Sequence, residues 1–417
     1  MNHIFQWEFT MQSQSPLHIG DDDDSLLLDD QGRPFLPGTS WAGACRAYLR
    51  NLGWTEEETK LFGEQGKQGK RRPSRLIFSD GVCITLQPFD VRPRVALDGA
   101  SKTVRRNKFE QVTVSAGTEF RVKLILRTDE ERDRDTVEHI LGALDSGYIR
   151  LGKYKSIGGG KFKIVDGRFV HYDCRKTDDL EAYVHQTKPM ELWQPSGRLH
   201  PNWLSVHVTG RTFSPLLIAG GYPNDSQKPD RSAIQAWYFG EDFYIIPGSS
   251  MKGVLRHRVQ RLANLLGIDA SVVKHMFNGK LLVEDTIIQN PKTKVYSRIA
   301  IHPLTGGVKD GALVEEETVS GEWEMNWLYA YDPESVASKA ALALLLFALR
   351  DLGWRRVSMG SGSGVGRGDL QIARAVMRYK EQEVVLDFER QSVEDGCGWM
   401  NVLQEALETV KKGVKAG

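Results

Sequence analysis

The chain has 417 residues, of which 40% are hydrophobic and 26% charged, a composition that excludes disordered and fibrous classes and supports two or three folded cores. Its 55 basic and 54 acidic side chains leave a formal charge of +1, so no global field attracts nucleic acid or membrane, although local basic patches survive such a sum. No apolar run nears the ~20 residues of a membrane span, Met1 to Glu8 lacks the basic and apolar regions of a secretory signal, and Cys45, Cys83, Cys174 and Cys397 have no metal-ligand spacing, which together predict a cytoplasmic protein with no membrane partner.

Phe5 to Met11 alternates with period 2 and predicts a strand. Ser15-Pro16-Leu17-His18-Ile19-Gly20 follows and runs into Asp21-Asp22-Asp23-Asp24. Four adjacent carboxylates repel one another and any phosphate. Such a run either holds Mg²⁺, which prefers oxygen ligands, or is a solvated loop. Pro34-Phe35-Leu36-Pro37-Gly38-Thr39-Ser40 opens a helix-like run from Trp41 to Leu52. Lys67, Lys70, Arg71, Arg72 and Arg75 sit in a Gly/Gln-rich loop before Leu76-Ile77-Phe78-Ser79-Asp80, and Lys102, Arg105, Arg106 and Lys108 follow Leu97-Asp98. Thr118 to Leu126 predicts a strand, and Asp135 to Ser146 a helix capped by Asp135. A glycine loop, Leu151-Gly152 to Gly158-Gly159-Gly160, carries Lys153, Lys155 and Lys161.

The same order then returns. Ser214-Pro215-Leu216 matches Ser15-Pro16-Leu17, and Ile246-Pro247-Gly248-Ser249-Ser250 matches Leu36 to Ser40 and opens a helix from Met251 to Leu266. Leu281-Leu282-Val283-Glu284-Asp285 answers Leu76 to Asp80, and Ile299-Ala300-Ile301-His302 answers Val95 to Asp98. Trp323 to Tyr331 predicts a strand, Ser338 to Leu352 a helix ended by Gly353, and Met359-Gly360 to Arg367-Gly368 a second glycine loop. Landmarks in one order, offset by roughly 200–210 residues, make the chain a tandem duplication. The predicted domains are 1–190 and 204–417, joined by a proline-rich linker at 191–203, with a last helix from Met400 to Lys412 expected to pack on a neighbour. Each repeat reads βαββαβ. That order predicts an α+β chain of two tandem ferredoxin-like, RRM-like domains with inserted loops, and such sheets often bind RNA.

The turn Pro247-Gly248-Ser249-Ser250 is the sharpest segment. Free amides at a helix start bind anions, and Ser249 or Ser250 can cap the helix or touch a phosphate. Lys252 and Arg256, four residues apart, share one helix face. The first repeat offers Thr39, Ser40 and Arg46, with Ala42 in the place of Lys252. So many glycines in a loop demand positive φ or close backbone approach. Gly364 and Gly366, with Arg367, can cradle RNA as Lys153 and Lys155 can in the first repeat, or the loops are simply tight helix-to-strand turns.

The Pro-Gly-Ser/Thr-Ser turn, the Phe-Gly element (Leu61-Phe62-Gly63 and Met276-Phe277-Asn278-Gly279) and the late glycine loop resemble the RAMP superfamily of CRISPR systems. The likeness is to backbone subunits of type III effector complexes, and the duplication is similar to the double-backbone subunits of type III-D variants. The resemblance implies binding of guide crRNA through Thr39, Ser40, Arg46, Ser249, Ser250, Lys252 and Arg256. It also implies a hairpin, at Lys102 to Lys108 and at Thr305 to Asp310, that flips a base between guide and target. The family carries a catalytic aspartate in the loop before the Pro-Gly-Ser-Ser turn, which implies Asp24, then Asp23, in repeat one and Asp230, then Asp225, in repeat two. Asp24 and Asp230 are the implied ligands of Mg²⁺ or Mn²⁺. Cleavage of single-stranded target RNA by attack of a ribose 2′-OH would leave a cyclic phosphate, and other effector subunits are implied partners. Two alternatives stand beside this reading: a crRNA-binding scaffold that does not cut, and a metal-independent crRNA-processing endoribonuclease using a histidine such as His18.

Overall fold

The computed structural model of the protein describes residues 2–20, 25–65, 71–97, 104–196, 202–220, 229–309 and 311–414. Repeat one runs β1 (His3–Ser13), α1 (Gly38–Leu52), α2 (Thr55–Phe62), β2 (Leu76–Phe78), β3 (Val82–Thr85), β4 (Phe89–Leu97), β5 (Val104–Val114), β6 (Glu119–Thr128), α3 (Asp133–Asp145), β7 (Phe162–Asp173), α4 (Thr177–His185) and β8 (Glu191–Leu192). Repeat two runs β9 (Trp203–Thr212), β10 (Gln235–Tyr238), β11 (Glu241–Ile246), α5 (Gly248–Leu266), α6 (Ala270–Phe277), β12 (Leu281–Val283), β13 (Thr286–Arg298), β14 (Val314–Ala330), α7 (Val336–Gly353), β15 (Leu370–Tyr379), β16 (Gln382–Asp387), β17 (Ser392–Asp395) and α8 (Trp399–Val414).

Both repeats build the same antiparallel sheet. In repeat one the order is β7-β1-β6-β2, and in repeat two β15-β9-β14-β12. The first strand lies between the last and the third, which is the ferredoxin-like arrangement predicted from the element order. Even an irregularity is duplicated. The ladder slips at Thr10/Met11 against β7 and at Thr209/Gly210 against β15. Glu191–Leu192, at the start of the expected linker, pairs with Arg168–Phe169 as an edge strand of the first sheet.

Phe5, Trp7, Phe9 and Met11 alternate along β1 onto the helix side and join Trp41, Tyr48, Ile140 and Leu144 in the first core. The other face of β1 is covered as well, because Ile4 packs with Val170, Tyr172 and α4 residues Ala182 and Tyr183. The second core centres on α7, whose Ala340 to Leu352 stretch is buried between the sheet and α5, α6 and α8. The last helix therefore packs inside its own repeat: Trp399, Leu403 and Leu407 are core residues, and the Trp399 indole donates to the Tyr331 hydroxyl at 3.2 Å. Two helix ends also differ from expectation. α3 begins at Asp133, two residues before Asp135, and α7 is capped by Ser335, which accepts from the Ser338 amide at 3.2 Å.

Candidate nucleic-acid interface

The two Pro-Gly turns are built alike. A Cβ on Gly38 would lie 2.6 Å from the Phe78 carbonyl oxygen, and one on Gly248 would lie 2.2 Å from that of Val283, so no other residue fits without moving the strand end. The Gly38 amide donates to Asp80 Oδ1 at 2.7 Å, and the Gly248 amide to Asp285 Oδ1 at 2.8 Å. Each aspartate is the fixed anion at a helix start and takes one of its unpaired amides. The Ser40 and Ser250 amides donate to the Pro37 and Pro247 carbonyls at 3.0 and 2.9 Å, which leaves the Thr39 and Ser249 amides and the four hydroxyls as the polar groups of the two turns. Thr39 is exposed and the three serines are half-buried.

The glycine loops are explained first by their own chain. Gly152 and Gly360 have φ near +75°, and their Cβ positions lie 2.1 and 2.4 Å from the carbonyl oxygens of His18 and Leu217. The Lys153 and Ser361 amides donate to those same carbonyls at 2.8 and 2.7 Å. Gly160 and Gly368, at φ +74° and +80°, would drive a Cβ to 1.9 Å from Leu151 and Met359 oxygens. These four positions serve a tight turn against the segment after the first strand. Gly364 and Gly366 are different: both are exposed with open space around them.

The basic side chains divide by what already holds them. Arg256 is exposed on α5, and Lys153 and Lys155 are exposed on the first glycine loop, where desolvation lowers the Lys155 pKa. Lys252 points inward, donating to the carbonyls of Leu281 at 2.8 Å and Ser156 at 3.2 Å. Burial draws its pKa down to about 8. Arg46 does not face out with Arg256: the α1–α2 turn sets the buried Glu58 carboxylate on its guanidinium, and a second nitrogen donates to the Gly63 carbonyl at 3.1 Å. Arg367 is likewise committed, bonded to the buried Glu316 at 2.5 Å and stacked 4.6 Å over Tyr296. Glu316 also meets Arg298 at 3.2 Å and Arg231 at 3.6 Å.

Among the acidic candidates, Asp230 is exposed and accepts from the Glu315 amide at 2.8 Å. Among the described residues no three His, Cys, Asp or Glu side chains converge on a point that could hold a metal ion. Asp23, Asp24, Asp225 and Lys102 lie outside the described residues, as do the side chains of Arg105 and Arg106 on β5. His18 is buried, its Nδ1 lying 2.7 Å from the Val112 carbonyl oxygen, and its ring meets Tyr154 edge-on. Between β13 and β14, the segment that holds the second expected hairpin, Thr305 to Asp310, exposes Ile301, Leu304 and Val308, and Asp310 itself lies outside the described residues.

Sequence reasoning missed the contact between the repeats. Arg150 and Lys161 of repeat one both reach Glu284 of repeat two, and Arg92 reaches Asp285. Asp285 also accepts from the Tyr238 hydroxyl at 3.1 Å. The signal that existed was the recurrence of an acidic residue at Asp80 and Asp285.

The sequence profile of the RAMP superfamily matches this chain twice, over residues 10–163 and 209–371. The chain belongs to the RAMP superfamily. Its two matches each run from the first strand to the start of the last, so this is a tandem RAMP protein. The chain is also similar to the CRISPR system Cms endoribonuclease Csm3 of Methanocaldococcus jannaschii, with 23% identity over 205 residues. That alignment takes in 42% of this chain and 79% of the archaeal protein, about one RAMP repeat. No helix among the described residues is long and apolar enough to cross a membrane.

Proposed function

We propose that this tandem RAMP protein is a backbone subunit of a type III CRISPR effector complex, binding guide crRNA and cutting paired single-stranded target RNA. The double family match in one chain, joined to the likeness to an endoribonuclease of a CRISPR system, is the observation that supports it. The guide backbone would run past Thr39, Ser40, Ser249, Ser250, Arg256, Lys153 and Lys155, all of them exposed or half-buried. Lys102, Arg105 and Arg106 would add a basic stretch beside it.

Cutting would proceed by in-line attack. The ribose 2′-oxygen bonds to phosphorus and gives its proton to a base, the bond to the 5′-oxygen breaks, and that oxygen takes a proton, leaving a 2′,3′-cyclic phosphate and a 5′-hydroxyl. The carboxylates of Asp24 and Asp23 are proposed to serve repeat one and those of Asp230 and Asp225 repeat two, with Asp24 and Asp230 as the residues that would hold Mg²⁺ or Mn²⁺. Asp230 supports a second reading, in which repeat two grips RNA without cutting, because its carboxylate is already bonded to the Glu315 amide.

The test is purification of the chain with its guide, followed by cleavage of a complementary RNA with and without chelator. Asp24→Ala should lower cutting by ~10²-fold or more while guide binding survives. Asp230→Ala and Asp225→Ala report separately on repeat two. Unchanged cutting in all of these and in Asp23→Ala would leave a guide-binding scaffold. Absence of any bound guide would overturn the whole assignment.

A further inference from the structure

The C-terminal end of α7 carries a cluster that repeat one lacks. Asp351, in the last turn, has none of its side chain exposed, and three guanidiniums converge on it. Arg258 of α5 donates twice to Oδ2, at 2.7 and 2.6 Å, Arg350 twice to Oδ1, at 3.2 and 2.9 Å, and Arg356 lies at 3.6 Å. Arg350 and Arg356 also stack on Trp354, 5.2 and 4.9 Å from its ring centre, and Arg355 stacks 3.9 Å over the exposed Phe213. A carboxylate is unfavourable at the negative end of a helix, and burying its charge costs more. Capping α7 therefore does not explain the cluster. Nor does the fold need it. With Leu151-Gly152 set on Met359-Gly360, Ala143, Gly142 and Tyr148 stand in the places of Asp351, Arg350 and Arg356, and with Gly38 set on Gly248, Tyr48 stands for Arg258. There the chain covers the place itself, since a Cβ on Gly142 would lie 2.4 Å from the Ser196 carbonyl oxygen.

In repeat two the same place is open and basic. Side-chain exposure rises outward from Arg258 to Arg350 to Arg356, at 18%, 35% and 55%, and Arg261 and Arg355 are exposed as well. Three guanidiniums on one carboxylate leave two surplus positive charges, in a chain whose total is +1. A guanidinium has five N–H donors, so Asp351 fixes the planes of Arg258 and Arg350 without using up their forks. Several forks set along a surface, with flat aromatic rings between them, match a phosphodiester chain better than a single small anion. This surface is also separate from the proposed guide contacts of α5. At 3.6 residues per turn, Arg258 and Arg261 lie about 140–160° round the helix from Arg256, so they leave its opposite flank, toward the end of α7.

We propose that this arginine face is a second RNA-binding surface, one that takes a single strand by its phosphates without regard to sequence. It stands apart from guide binding and from cutting, so it is tested on nuclease-treated full-length protein. The probe is a fluorescein-labelled oligouridine of about 20 nucleotides, titrated by anisotropy between roughly 50 and 200 mM salt. The variant Arg261→Gln/Arg355→Asn/Arg356→Gln leaves Arg258 and Arg350 on Asp351, and asparagine suits position 355, whose φ is +58°. It should melt like wild type, bind the oligomer ~tenfold or more weakly, and reduce the salt slope by about 2, since each single-strand phosphate contact contributes about 0.7. Arg256→Ala, on the other flank, should add its own loss to that of the triple variant. Ultraviolet crosslinking should label the peptide that holds Trp354. A triple variant that binds like wild type would overturn the proposal, and so would loss of all binding with Arg256→Ala alone, which would put every bound strand on the guide flank. Polyglutamate of similar length should not compete. Equal competition through the same arginines would make the occupant an acidic protein and refute RNA. If the triple variant fails to fold, Arg356→Gln carries the same test, with a slope change of about 0.7.

Discussion

Replacing Glu284 with leucine tests what holds the two repeats together. Arg150 has only 2% of its side chain exposed, against 21% for Glu284, so the guanidinium cannot turn to water when its carboxylate is removed. It keeps one protein acceptor, the Gly147 carbonyl at 3.2 Å. Breaking such a pair from one side costs about 3–5 kcal/mol, because an uncompensated charge stays buried. Lys161 is a third exposed and can find solvent, so its share is small. At roughly 2–4 °C per kcal/mol for a unit of this size, the melting midpoint of the RNA-free chain should fall by roughly 6–20 °C, with a matching loss in urea. Adding Arg150→Met should restore much of that loss, since the orphan charge leaves with it. The pH dependence has a defined sign. Burial pushes the Glu284 pKa up, but Arg150 and Lys161 outweigh it and hold the pKa below its ordinary 4.5. The stabilisation is therefore present above that pH and lost as acid titrates the folded-state carboxyl, so the gap between wild type and variant should close in acid. A loss under about 1 kcal/mol at neutral pH, or no recovery with Arg150→Met, would refute the reasoning.

Lys252 has a folded pKa of about 8 against an ordinary 10.5, so the unfolded chain binds more protons between those values and stability should rise with pH there; Lys252→Met should remove that rise in urea midpoints. Gly160→Ala should cost at least ~2 kcal/mol in thermal or urea unfolding, because its φ is +74° and its Cβ would overlap the Leu151 oxygen. Gly364→Ala, in open space, should melt within about 0.5 kcal/mol of wild type. Arg256→Ala should weaken guide binding and reduce its salt slope by about 1, whereas Arg46→Ala should lower stability through Glu58 and leave that slope unchanged.

The duplication and the strand order were legible because they rest on backbone demands that the sequence displays twice. Gly38 and Gly248 are forced by the carbonyls of Phe78 and Val283, and Gly160 and Gly368 by Leu151 and Met359. What decides a basic side chain's role was not legible. Arg46 and Arg256 sit at matching helix positions, yet Glu58 takes only the first. Lys252 has the spacing of a phosphate ligand, yet the carbonyl that claims it belongs to Ser156, 96 residues earlier. Arg150 and Glu284 are 134 residues apart, a separation no periodicity reports. The Met400 to Lys412 helix is amphipathic either way, and only α7 shows that its apolar stripe is used at home.

That docking of α8 on α7 sets an order of events during synthesis. Repeat one has all its layers by β8, at residue 192. Repeat two cannot cover Tyr331 or the side of α7 that meets α8 until Trp399, Leu403 and Leu407 have emerged from the ribosome. At 5–20 residues per second, the second half takes roughly 10–40 s to appear, and its longest apolar helix waits uncovered for the last part of that time. The finished first repeat is then the template at hand: its Arg150 and Lys161 present the charge that Glu284 needs as soon as β12 forms. A ribosome stalled before α8 would hold a chain with one native half and one sticky one, the kind of intermediate that chaperones and proteases recognise first.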